Sequence, residues 1–176
     1  MRRLQLSDAS HTQGFGQALA RVLLTQATGA AVALEGNLGA GKTTLARALI
    51  QALGHCGPVV SPSYTLVEPY DVAGRRLWHL DLYRIGDPEE LEYLGWREWD
   101  VKRNWLLAEW PEKAQGFLPV FDLSITLRYV DTIESGQGKL QQAGEDPGRQ
   151  ISWQAGSERG EHLAGLLDQQ LRANLV

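Results

Sequence analysis

The residues best suited to chemistry form a short glycine-rich segment, Gly36-Asn37-Leu38-Gly39-Ala40-Gly41-Lys42-Thr43. The segment fits the pattern Gly-x4-Gly-Lys-Ser/Thr of a phosphate-binding loop, or P-loop. Its glycines let backbone N–H groups turn toward an anion, and a following helix adds partial positive charge at its N-terminus. Lys42 could reach the β- and γ-phosphates of a nucleotide, and the Thr43 hydroxyl could bind Mg²⁺. The segment therefore predicts a nucleotide site.

Two carboxylates end apolar stretches that we predict to be strands. Asp81 follows Leu77–Leu80, and Glu109 follows Leu106–Ala108. A P-loop protein needs a carboxylate on a neighbouring strand to organise its metal. An acid at such a position is costly unless it faces a cation or hydrogen-bond donors. The pattern leaves open which of the two acids binds metal and which orients water. His79 shares a strand face with Asp81, and we expect it to be a structural histidine.

The elements that position these residues alternate between strand and helix early in the chain and form hairpins later. Apolar residues at helical spacing predict a helix over Ala9–Leu24, and a buried parallel strand is predicted at Ala31–Leu34. After the P-loop, Thr43–Leu53 is predicted to be a helix that ends at Gly54. Further strands are predicted at Arg3–Leu6, Thr65–Tyr70, Arg76–Leu82, Asn104–Glu109, Asp122–Tyr129 and Arg149–Gln154, and further helices from Asp87 and over about Glu158–Leu171.

This order of elements predicts an α/β fold: a three-layer, P-loop NTPase-like mixed sheet flanked by helices. We interpret Asp71–Gly74 as a hairpin turn, in preference to the Asp-x-x-Gly switch of GTPases. Asp122–Tyr129 alternates in polarity and is predicted to be an antiparallel edge strand. Thr132–Gly148 is rich in Gly, Gln and charge, which predicts a mobile loop or a locally disordered insertion.

Composition limits the class of protein. The 176 residues (19.5 kDa) predict one domain, and 43% hydrophobic with 22% charged residues exclude general disorder. We see no membrane helix and no export signal, and the single Cys56 excludes an internal disulfide framework. We therefore expect a cytoplasmic protein. The net charge of −4 argues against binding nucleic acid alone, so any role near RNA needs a partner with a basic surface.

Four ordered blocks of sequence resemble the TsaE family, the bacterial ATPases of tRNA threonylcarbamoyladenosine biosynthesis. The resemblance covers nearly the whole chain, although Asn37 stands where the family usually has Asp and Ser63 where Thr is common. The four blocks are Leu38–Thr44, Ser61–Val67, His79–Arg84 and Glu109–Glu112.

The resemblance implies an ATP-binding domain that joins two partner proteins, TsaB and TsaD. TsaD transfers the threonylcarbamoyl group to adenosine 37 of tRNA, and ATP hydrolysis by the TsaE-like protein is expected to reset the assembly. Contact with tRNA is then indirect, through the complex.

The resemblance also implies roles for individual residues. Lys42 would bind phosphate and serve catalysis, Thr43 and Glu109 would ligate Mg²⁺, and Asp81 would be the catalytic or water-organising acid. Ser61 or Thr65 would lie near the γ-phosphate, and Trp110 would be functionally sensitive. The expected nucleotide-binding residues are Gly36, Gly39, Ala40, Gly41, Lys42, Thr43, Thr44, Ser61, Thr65 and Trp110.

Two other functions fit a P-loop chain of this size. One is a small-molecule or nucleotide kinase, but no arginine-rich lid is evident in the sequence. The other is a non-catalytic interaction module that only binds nucleotide. The absence of an Asn-Lys-x-Asp sequence favours ATP over GTP.

Overall fold

The computed structural model describes residues 1–130 and 148–173. These residues form one seven-stranded sheet in the order β1-β7-β6-β2-β5-β4-β3, with helices packed on it. The strands are β1 (Arg2–Leu6), β2 (Ala30–Glu35), β3 (Val67–Val72), β4 (Arg75–Asp81), β5 (Trp105–Glu109), β6 (Leu123–Tyr129) and β7 (Arg149–Ala155), and the helices are α1 (Ala9–Leu24), α2 (Lys42–Ala52), α3 (Glu90–Tyr93) and α4 (Glu158–Ala173).

The four central strands β6, β2, β5 and β4 run parallel, whereas β3 at one edge and β7 beside β6 run antiparallel to their neighbours. Parallel strands end at the same edge of a sheet. In the observed register Glu109 of β5 lies between Leu34 of β2 and Asp81 of β4. The two acids singled out from the sequence are therefore direct neighbours beside the P-loop that follows β2.

The sheet separates two hydrophobic layers, so the predicted three-layer mixed α/β fold is confirmed. On one face α1, α2 and α4 pack against Val32, Leu34 and their neighbours. The other face is covered by α3, by loops and by the 3₁₀ helices Trp96–Glu98 and Pro111–Ala114. Because side chains alternate along a strand, Leu107 faces the long helices whereas Leu106 and Ala108 face the thinner cover.

One prediction about the sheet is wrong, and the hairpin predicted at Asp71–Gly74 is confirmed with a shorter turn. β6 is not an antiparallel edge strand, because it lies between β2 and β7 and is parallel to β2. The hairpin turn is the dipeptide Ala73-Gly74, with both φ angles positive, at 49° and 73°. Asp71 instead lies within β3, opposite Arg76, whose Nε donates to Asp71 Oδ1 over 2.6 Å.

Helix α1 begins where the sequence predicts. The Oδ1 of Asp8 accepts hydrogen bonds from the backbone N–H groups of Ser10 and His11, which caps the helix.

Apart from Gly148, the stretch 132–148 that was predicted to be a loop lies outside the described residues. Over those described residues, every helix is too short or too polar to cross a membrane.

Candidate nucleotide-binding site

The P-loop leaves the end of β2 and enters α2 at Lys42. Its backbone takes left-handed conformations at Gly36 (φ 132°) and Gly41 (φ 106°), which favour glycine. At Gly36 a Cβ atom would lie 2.2 Å from the carbonyl oxygen of Leu127, so a larger residue does not fit without a shift of the backbone. The fold of the loop by itself therefore accounts for glycine at these two positions.

Lys42 lies inside the loop, with 4% of its surface exposed. Its Nζ donates to the carbonyl oxygens of Gly36 (2.6 Å) and Asn37 (3.0 Å) and lies 3.7 Å from the ring centroid of Trp110. Burial lowers the pKa of the Lys42 ammonium, and the negative charges of Glu109, Glu112 and Asp81 oppose that shift. The partners of the Lys42 ammonium are thus two neutral carbonyl groups and an indole ring, which an anionic group can replace.

A buried chain of hydrogen bonds runs from α2 to β4 through Glu109. The Thr43 hydroxyl donates to Glu109 Oε2 over 2.9 Å, and His79 Nε2 lies 2.9 Å from Glu109 Oε1. Glu109 and His79 are 1% and 0% exposed. One oxygen of the Glu109 carboxylate thus contacts the first turn of α2, and the other contacts a histidine of the neighbouring strand β4.

Asp81 is buried and is held by donors from the loop that precedes β3. Its Oδ2 accepts from Ser61 Oγ (2.5 Å) and Ser63 Oγ (2.6 Å), and its Oδ1 accepts from the backbone N–H of Tyr83 (3.1 Å). Three donors thus fix the orientation of the carboxylate. The carboxylate therefore lies where the loop formed by residues 61–66, here called the serine loop, meets the end of β4.

These side chains surround a single cavity of about 240 Å³. Trp110 closes one side in a left-handed backbone conformation (φ 58°), and its ring lies 5.0 Å from that of Tyr83. The cavity is lined by Leu38, Gly39, Gly41, Lys42, Thr43, Thr44, Ser61, Ser63, Asp81, Tyr83, Glu109 and Trp110.

Comparison with known proteins finds a match over a region that contains all four blocks named in the sequence analysis. The family model described as "Threonylcarbamoyl adenosine biosynthesis protein TsaE" matches residues 6–137. The chain belongs to the TsaE family. This family takes part in the biosynthesis of threonylcarbamoyladenosine in tRNA.

Individual TsaE relatives agree with the match. The tRNA threonylcarbamoyladenosine biosynthesis protein TsaE of Haemophilus influenzae is 49% identical over 119 residues, which are 66% of this chain and 75% of that protein. The protein of the same name from Synechocystis is 40% identical over 112 residues, 61% of this chain and 69% of that protein. The crystal structure of Bacillus subtilis YdiB superimposes with a TM-score of 0.72 at 25% identity and covers 95% of this chain and 93% of that chain.

Most residues expected from the TsaE resemblance come together at this cavity. Gly36 and the buried Ala40 shape the P-loop without lining the cavity. Thr65 is exposed and does not line it either. Ser63 and Tyr83 line the cavity and were not among the expected site residues. The sequence signal for Ser63 is its place in the Ser61–Val67 block, two residues after Ser61.

The oxygen atoms of Thr43 and Glu109 fit Mg²⁺, which prefers hydroxyl and carboxylate ligands. Within residues 1–130 and 148–173, no group of three or more His, Cys, Asp or Glu side chains could hold a metal ion by itself. Mg²⁺ usually keeps several waters and binds through one or two protein ligands plus substrate phosphates. The two donors Thr43 and Glu109 match that requirement. The residues present therefore fit a magnesium ion that arrives with a nucleotide.

Ser63 and Thr65 provide a direct test of the serine loop. We expect Ser63→Ala to lower ATP turnover about tenfold, because Asp81 loses a charge-assisted hydrogen bond of about 1.5 kcal/mol. Thr65→Val also removes only a hydroxyl group, and we expect turnover within about twofold of the wild type. The steady-state rate of phosphate release measures the ATP turnover of both variants. A larger loss for Thr65→Val than for Ser63→Ala would contradict this view of the loop.

Proposed function

We propose that this member of the TsaE family binds and hydrolyses Mg-ATP in support of the threonylcarbamoyl modification of adenosine 37 in tRNA. One observation carries the proposal: Lys42, Thr43, Asp81 and Glu109 converge on one cavity at the carboxyl ends of β2, β4 and β5. Ligands of open α/β sheets bind at this edge. A cation, a hydroxyl group and two carboxylates beside a P-loop are the parts that phosphoryl transfer to water requires.

Each residue takes a role from its contacts. The Lys42 ammonium would exchange its bonds to the Gly36 and Asn37 carbonyls for phosphate oxygens. Thr43 and Glu109 would hold Mg²⁺, which when bound would neutralise charge on the phosphates. Asp81, fixed by Ser61 and Ser63, would orient the attacking water. Water oxygen bonds to the γ-phosphorus as the bond to the β,γ-bridging oxygen breaks, which yields ADP and inorganic phosphate.

The proposal includes dependence on partners. No arginine within the described part of the chain lines the cavity, so turnover by the isolated protein is expected to be slow until a partner completes the site. We propose that the partners are TsaB and TsaD and that hydrolysis resets their complex. With a net charge of −4, contact with tRNA would be indirect, through that complex in the cytoplasm.

The decisive experiment measures ATP hydrolysis by the purified chain alone, with TsaB and TsaD separately, and with both together. We expect a low basal rate that rises only when both partners are present, and restored threonylcarbamoyladenosine in tRNA, measured by mass spectrometry, when the chain is expressed in depleted cells. A fast rate without partners would overturn the proposal. Phosphorylated product in a panel of small-molecule acceptors would favour a kinase instead.

A further inference from the structure

His79 occupies a position that hydrophobic packing alone does not explain. It lies on β4 between Leu77 and Asp81, on the face covered by the long helices, and is 0% exposed. Its Nδ1 has no hydrogen-bond partner among the described residues, whereas its Nε2 lies 2.9 Å from Glu109 Oε1. A buried ring nitrogen without a partner costs stability. An aliphatic residue would avoid that cost, so the contact with Glu109 is the feature that a histidine supplies.

The contact has a defined direction. An ionised carboxylate only accepts hydrogen bonds, so the ring must carry its proton on Nε2 and donate it to Glu109 Oε1. That bond fixes one oxygen of the carboxylate and leaves Oε2 directed at the Thr43 hydroxyl, 2.9 Å away. Without it, nothing else in the described contacts of Glu109 holds Oε1.

We propose that His79 is a positioning residue for the magnesium site: it holds Glu109 so that Oε2 and the Thr43 hydroxyl face the same point. The inference rests on the proposed function, because it assigns Glu109 and Thr43 to Mg²⁺. Groups that hydrogen-bond to metal ligands orient them, and their loss typically costs about 10–100-fold in metal affinity or activity. His79 does not line the cavity, so it would act on a bound metal only through Glu109.

The test measures metal affinity rather than turnover. The full chain binds adenylyl imidodiphosphate, a non-hydrolysable ATP analogue, and Mn²⁺ replaces Mg²⁺ so that electron paramagnetic resonance counts the bound ion. We expect His79→Leu to weaken Mn²⁺ binding about 10–100-fold while affinity for the analogue in EDTA stays within about twofold of the wild type. His79→Gln keeps an N–H donor near the position of Nε2 and should recover most of the metal affinity. This rescue distinguishes positioning from packing.

Leu77→Ala is the matched control, since Leu77 is a buried residue of the same strand and face that lies opposite Trp105 rather than Glu109. Unchanged Mn²⁺ affinity in His79→Leu, or an equal loss in Leu77→Ala, would overturn the inference. If His79→Leu does not fold, ¹⁵N NMR of the wild-type imidazole decides: a proton on Nε2 supports the inference, and a ring protonated on Nδ1 alone overturns it. A wild-type chain that binds no metal–nucleotide complex overturns the proposed function and this inference with it.

Discussion

Replacing Lys42 with alanine is expected to weaken ATP binding by roughly 10–150-fold and to reduce hydrolysis to background. The reason is the loss of an ammonium that the P-loop holds at its centre, bonded to two loop carbonyls and covered by Trp110. A hydrogen bond to a charged group contributes about 1.5–3 kcal/mol, which corresponds to that range of dissociation constants. Titration with a fluorescent ATP analogue measures the loss directly.

Lys113→Ala is the control for this variant. Lys113 is exposed in the 3₁₀ helix that follows Trp110 and does not line the cavity. The Lys113→Ala substitution removes the same charge as Lys42→Ala, so a general effect of net charge on ATP affinity would appear in both variants. We expect Lys113→Ala to bind like the wild type. Wild-type affinity in Lys42→Ala would show that the nucleotide binds elsewhere.

The parts of the fold that local chemistry decides could be predicted from the sequence. Helix α1 has the predicted bounds, Ala9–Leu24, because Asp8 caps it and its apolar residues recur at helical spacing. The P-loop lies where its glycines indicate, between a buried strand and a helix. Asp81 and Glu109 meet because two parallel strands end in register. Neighbouring residues decide the helix and the loop, whereas the meeting of the two acids also needs the long-range pairing of β4 with β5.

Features that depend on distant parts of the chain could not be predicted in the same way. The polar alternation in β6 suggested a solvent-facing edge, yet Ser124 and Thr126 lie on a strand enclosed by β2 and β7. Nothing near β6 in the sequence indicates those two partners. In the hairpin, Asp71 and Gly74 both favour turns, yet Asp71 lies within β3 in register opposite Arg76. The roles of Ser63 and His79 likewise depend on acids that lie 18 and 30 residues away.

Within the serine loop, Ser63 donates to Asp81 whereas Thr65 is exposed. Either hydroxyl precedes β3 by only a few residues, so sequence distance does not separate them. Leu66 takes a left-handed conformation (φ 63°), and its carbonyl oxygen accepts from the backbone N–H of Asp81. This local geometry ties the end of the loop to β4. Ser61 and Ser63 face the carboxylate, whereas Thr65 stays on the surface.

The second large effect is expected for Asp81→Asn, which should lower the rate of ATP hydrolysis by about 10²–10⁴-fold, the contribution typical of a positioned acid or base. Asparagine has nearly the same shape, its amide oxygen can accept the Tyr83 N–H, and the Ser61 and Ser63 hydroxyls can rotate to accept from its amide nitrogen. The fold and nucleotide affinity should therefore be retained, with affinity for the ATP analogue within about threefold of the wild type.

Single-turnover hydrolysis in the presence of both partners isolates the chemical step from product release. Asp71→Asn is the matched control, because Asp71 lies on the same hairpin but is exposed and, among the described residues, is paired only with Arg76. An exposed ion pair contributes little, so that variant should hydrolyse ATP at the wild-type rate. Loss of nucleotide binding in Asp81→Asn would assign the carboxylate to the binding of Mg-ATP rather than to water. A wild-type rate would remove Asp81 from the chemistry and leave Glu109 as the acid to test next.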